Sequence, residues 1–165
     1  MYIEPCCIQT QLPQLLKQPV AHFHSNSDWT ASQLLLTLIS ADPVDELTVI
    51  MPSVDVEFIR TLAFVMAHLT WVNHLTLITQ GTEQEEIKAQ LHPYADRLTV
   101  VEDVVSFRAM LLKSTKRYIV VQGSINLEKS RSMQAFTVTT TPELYNQFME
   151  TILPRIRVGK RVANI

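Results

Sequence analysis

Near the end of the chain, directly after the apolar run YIVVQ, Gly123, Ser124, Ile125 and Asn126 set a hydroxyl and a carboxamide behind a glycine. Neutral donors of this kind suit a phosphate oxygen. The same residue types also turn a chain by bonding their own backbone, which is the plainer use of them. Upstream lie two cations able to join an anion site: Arg108, whose planar fork fits phosphate in two-point contact, and Lys113.

Other constellations carry less chemistry. His22 and His24 alternate, which on a strand puts both on one face at a spacing compatible with two metal ligands. No nearby cysteine or carboxylate pair completes a set, so no metal site is expected. His68, His74 and His92 are scattered, and no Gly-x-Ser-x-Gly elbow frames Ser124 for a triad. Gly81, Gly123 and Gly159 stand too far apart for a phosphate-cradling or dinucleotide loop. No cofactor is expected.

The elements that must position these residues follow from pattern. Residues 1–19 contain Pro5, Pro13 and Pro19 and read as an extended arm. From Val20 a short strand, VAHFH, precedes a helix with Asp28 or Thr30 as N-cap and Gln33 as the reciprocal partner of Thr30. ELTVIM is a strand. Asp55 can cap the next helix, VEFIRTLAFVMAHLTWV, which is apolar around most of its girth and so expected to be buried on more than one side, Trp71 included. HLTLITQ is a strand, GTEQEEIKAQLHPY a polar helix with Thr82 as N-cap, and RLTVVED a further strand.

Strands alternating with helices imply a parallel core. The rhythm then changes to a hairpin, FRAMLL and YIVVQG about a polar KSTKR turn. After the Gly-Ser-Ile-Asn loop come the strand AFTVTTT and a helix opened by Pro142, whose stripe of Leu144, Phe148, Met149 and Ile152 should cover the sheet.

This order of elements, together with the GSIN loop after the second hairpin strand, resembles one half of the phospholipase D superfamily over roughly residues 20–157. The resemblance implies an α/β fold with a mixed, mainly parallel sheet flanked by helices. In that family, His-x-Lys on the first hairpin strand, an Asp shortly after it and Gly-Ser-x-Asn make the active site. Here Arg108 stands at the His position, Met110 at the Lys position and Thr115 near the Asp position, with one extra residue before the glycine. Gln134 stands where the family often carries a Glu.

The family cleaves phosphodiesters through a phosphohistidine. A guanidinium that stays protonated has no lone pair with which to attack phosphorus, and a thioether has neither charge nor proton to offer. No catalytic residue of the family's kind is therefore expected. Arg108, Ser124, Asn126 and Lys113 remain as an anion-binding set.

The resulting expectation is a catalytically inactive phospholipase D-like domain (residues 20–157) between the arm and a basic tail (residues 158–165). It would act as a homodimerising interaction or scaffold module that retains a phosphate pocket. The face-to-face pairing of two copies is implied by the resemblance. A divergent phosphodiesterase or nuclease, and a nucleic-acid-binding module without chemistry, are the alternatives.

The chain's bulk properties set bounds on these readings. With 165 residues, 47% of them apolar, it is the size of one domain with an adequate core. A net charge of −2 gives no general attraction to nucleic acid, although Arg155, Arg157, Lys160 and Arg161 cluster near the end. No stretch approaches the roughly 18 apolar residues of a membrane span. The start lacks a secretory pattern, so a cytoplasmic location is expected. Cys6 and Cys7, adjacent in sequence, are poorly placed for an ordinary disulfide.

Overall fold

The computed structural model describes residues 16–25, 30–41, 43–80, 83–125, 127, 134–158 and 160–161. In chain order the elements are β1 (Val20–Ser25), α1 (Ala31–Ala41), β2 (Glu46–Ile50), α2 (Val56–His68), β3 (His74–Thr79) and α3 (Gln84–Leu91). A 3-10 segment (His92–Arg97) leads to β4 (Leu98–Glu102), β5 (Ala109–Lys113), β6 (Tyr118–Gly123), β7 (Gln134–Thr139), α4 (Pro142–Val158) and β8 (Lys160–Arg161). The strands form one sheet in the order β1-β7-β6-β5-β2-β3-β4-β8.

The sheet is mixed, as expected, but its parallel part is confined to β2, β3 and β4, joined by α2 and α3. All other pairings among the described strands are antiparallel. For β5 and β6 the reason is connection length. The four residues 114–117 between β5 and β6 can close a hairpin but cannot carry a crossover. Ser114 organises that turn, its hydroxyl accepting from the N–H groups of Lys116 and Arg117 at 3.2 and 3.0 Å.

Strand alternation divides the core in two. Leu47, Val49, Leu75, Leu77, Met110, Leu112, Ile119 and Val121 face α1, α2 and α3. Ile50, Ile78, Ala109, Leu111 and Val120 face α4, which contributes Tyr145 and Ile152. Tyr145, absent from the expected stripe, is the most deeply placed aromatic of α4, whereas Leu144 and Phe148 are half-buried.

Local signals account for the helix starts. Thr30 and Gln33 form the reciprocal cap: the Thr30 N–H donates to Gln33 Oε1 at 2.9 Å and the Gln33 N–H to Thr30 Oγ1 at 3.3 Å. Asp55 Oδ1 accepts from the Phe58 N–H at 2.7 Å. Thr82 lies outside the described residues.

The expectations for α2 need correction. It stops at His68, and its buried residues Phe58, Ile59, Leu62, Val65 and Met66 span an arc of roughly 120°, a single face. Trp71 falls in the turn beyond it and is 43% exposed, while Phe64 on the far side is 49% exposed. Arg97 holds the chain after α2 in place, donating to the carbonyls of Met66 at 2.8 Å and Val72 at 3.0 Å.

At the ends of the chain, Leu16 is buried before the strand that begins at Val20. Lys160 and Arg161, in the basic tail, pair with Glu102 and Val101 as a short edge strand. No helix among the described residues is long and apolar enough to cross a membrane.

Candidate anion-binding site

Gly123 is required by the backbone. Its φ is 144°, and a Cβ at this position would lie 2.3 Å from the Ala135 carbonyl oxygen and 2.6 Å from Phe136 Cα. Any side chain would drive β6 away from β7. The next residue uses its side chain in the same join. Ser124 Oγ donates to the Ala135 carbonyl at 3.0 Å and accepts from the Ala135 N–H at 2.7 Å, while the Ser124 N–H donates to that carbonyl at 2.8 Å. Its one hydroxyl proton is therefore engaged within the protein. Ile125 is fully buried and pins the loop to the core. Asn126 lies outside the described residues.

The hairpin register sets Arg108 opposite Gly123, whose N–H donates to the Arg108 carbonyl at 3.3 Å. Lys113 sits at the other end of β5, roughly 17 Å away at about 3.3 Å per residue. There its Nζ donates to Glu46 Oε1 at 2.7 Å. The hydrogen bond from Lys113 to Glu46 raises the lysine pKa above its ordinary value, against a smaller desolvation effect that lowers it. Arg108 and Ser124 thus share one end of the hairpin, and Lys113 occupies the opposite end.

Two further positions of the family pattern are settled by burial. Met110 is wholly buried among the α1–α3 side chains, while Thr115 is exposed in the hairpin turn. The Gln134 side chain lies outside the description.

Arg108 lines a cavity of about 1170 Å³. It opens near the carboxyl ends of β2 and β6, the end where α/β sheets commonly hold ligands. The Arg108 Nε is buried without a hydrogen-bond partner, and the guanidinium makes no ion pair among the described residues. The loop that delivers it is tied down on both sides. Gln80 Nε2 donates to the Val105 carbonyl at 2.8 Å, and Arg155 Nη1 reaches Asp103 Oδ2 at 3.0 Å.

Three cavity residues have no counterpart in the sequence-derived set. His22, Thr137 and Gln122 stand abreast on β1, β7 and β6 and make a polar row, with His22 Nδ1 hydrogen-bonded to Thr137 Oγ1 at 2.9 Å. Alternation in VAHFH marked the face of His22, but no local signal tells which strand lies beside it. The His24 side chain is outside the description. Among the described residues no group of three or more His, Cys, Asp or Glu side chains is placed to hold a metal.

No protein-family model matches the chain, and no curated protein does. Solved structures do match. Nuc from Salmonella typhimurium, a phospholipase D family member, superposes with a TM-score of 0.57 at 14% identity, over 86% of this chain and 96% of its own. NucT from Helicobacter pylori gives 0.54 at 11% identity, over 85% and 98%. TrmBL2, an archaeal chromatin protein with a novel mode of DNA binding, gives 0.61 at 10% identity, over 92% of this chain and 58% of its own. The chain has a phospholipase D-like fold.

Proposed function

We propose that this phospholipase D-like domain binds an anionic ligand and does not hydrolyse it. The observation that carries the reading is Arg108, a permanent cation on the large cavity with its Nε buried and unpartnered. A buried donor left unsatisfied costs roughly 1–3 kcal/mol, and more when charged. A ligand oxygen at Arg108 would remove that cost. Against hydrolysis stand the arginine at the expected nucleophile position and a methionine sealed in the core at the expected lysine position. Ser124, engaged by Ala135, serves here as the brace of the loop and not as a ligand donor.

Pairing of two copies belongs to the same proposal. Val104, 80% exposed, and Phe107, 42% exposed, offer an apolar edge beside the cavity. Sedimentation that finds only monomer at high concentration would remove this part.

The test is thermal unfolding with phosphate, sulfate or tungstate against sodium chloride at matched ionic strength. Oxyanions should stabilise the wild type, because a ligand of the folded state raises its stability. Arg108→Met should lose the response while being at least as stable as wild type without ligand, since it removes a buried donor that has no partner. Oxyanion stabilisation that survives Arg108→Met would overturn the reading.

His22 supports one second reading, a divergent phosphodiesterase, because an imidazole in the same cavity could attack phosphorus. Cleavage of bis-p-nitrophenyl phosphate that disappears in His22→Ala would favour it. The likeness to TrmBL2 is the support for a nucleic-acid-binding reading, and the net charge of −2 weighs against it.

A further inference from the structure

The cavity has two unlike walls. Its floor is the polar row of His22, Thr137 and Gln122. Across from it α4 presents Leu144, Phe148 and Ile152. Phe107 lies edge-on to Phe148 with ring centroids 6.5 Å apart and planes at 64°. Among the described lining residues Arg108 is the one fixed charge, and no carboxylate lines the cavity with it.

This distribution of charge discriminates between anions. A nucleic-acid strand or polyphosphate repeats its charge along its length and would set most of it against described lining residues that carry no fixed charge. Inorganic phosphate would satisfy Arg108 but fill a small part of about 1170 Å³, leaving the α4 wall in water. A single guanidinium fork suits a single anionic head, and rings beside it suit an apolar body. Pockets for small organic ligands have this makeup, mostly apolar with a few placed polar groups.

We infer that the ligand is an organic monoanion, a carboxylate with an acyl or aryl body, its head on Arg108 and its body between α4 and the polar row. The inference rests on the anion-binding reading and narrows its ligand class.

The experiment is thermal unfolding of the full chain with decanoate below its micelle concentration, beside acetate, decanol and inorganic phosphate. Decanoate should raise the midpoint at concentrations where acetate and decanol do not. Arg108→Met should weaken its apparent affinity by about tenfold or more, the scale of a lost charged hydrogen bond. Phe107→Ala, at a partly exposed position, should weaken decanoate and leave any phosphate response unchanged. If phosphate stabilises the protein and decanoate does no more than acetate, the amphiphile is overturned and the anion-binding reading stands. If no anion has an effect, both fall. A decanol shift equal to that of decanoate would make the cavity an apolar one and overturn the inference as well.

Discussion

Gly123 and Ser124 look alike in sequence as members of a phosphate loop, yet their tasks in the fold are mechanical. A Cβ at Gly123 would meet the Ala135 carbonyl at 2.3 Å on a backbone whose φ of 144° is already unfavourable for other residues. Gly123→Ala should therefore cost roughly 3 kcal/mol, the upper range of local backbone strain, read as a lower denaturant midpoint. A change well under 1 kcal/mol would mean that β6 and β7 separate without resistance. Arg108 is the opposite case. Its backbone makes an ordinary strand-end contact with Gly123, and its side chain is the part that lacks a partner.

Helix caps act at the scale of the element. Asp55 satisfies the Phe58 N–H at the start of α2, whose single buried face closes the larger core. Asp55→Ala should destabilise by about 1 kcal/mol and Asp55→Asn by less, because asparagine can make the same bond. Equal losses in equilibrium unfolding would assign the effect to charge at the helix end instead. The loop before β5 works in a similar way: Gln80 and Arg155 hold it from two sides, so the position of Arg108 depends on β3 and α4 as much as on its own strand.

Across the whole molecule, α4 ties the second core to the sheet through Tyr145. Burial, with smaller contributions from Glu46 and Tyr118, pushes the Tyr145 hydroxyl well above its usual 10.0. A raised folded-state pKa means that stability is complete below the unfolded value and is lost as pH rises through and beyond it. The Lys113–Glu46 pair has the same sign, its contribution present below the ordinary lysine value of 10.5 and lost above the raised one. That pair is partly exposed and screened, so Tyr145 should dominate. Stability measured by denaturant should fall as pH rises through about 10 and keep falling above it, and the fall should be smaller in Tyr145→Phe. An identical slope in the variant would remove Tyr145 as its cause.

Secondary structure, the two observed caps, the hairpin and the phospholipase D-like order of elements were legible in the sequence because each depends on residues near one another in the chain. Alternation, N-cap chemistry and turn residues are short-range signals. The stop of α2 at His68 and the exposure of Trp71 were not, since an apolar run alone does not say where packing partners end. The candidate site was legible only as residue types. Arg108 and Ser124 were marked by residue type, but their separation from Lys113 follows from hairpin length and register, and the Ser124 contact with Ala135 needs β7 alongside. His22 joins Gln122 through Thr137 only because β1 pairs with β7, a contact between residues more than a hundred positions apart. Local chemistry determined the elements, and long-range strand pairing, which leaves no trace in any short window, decided which side chains share the cavity.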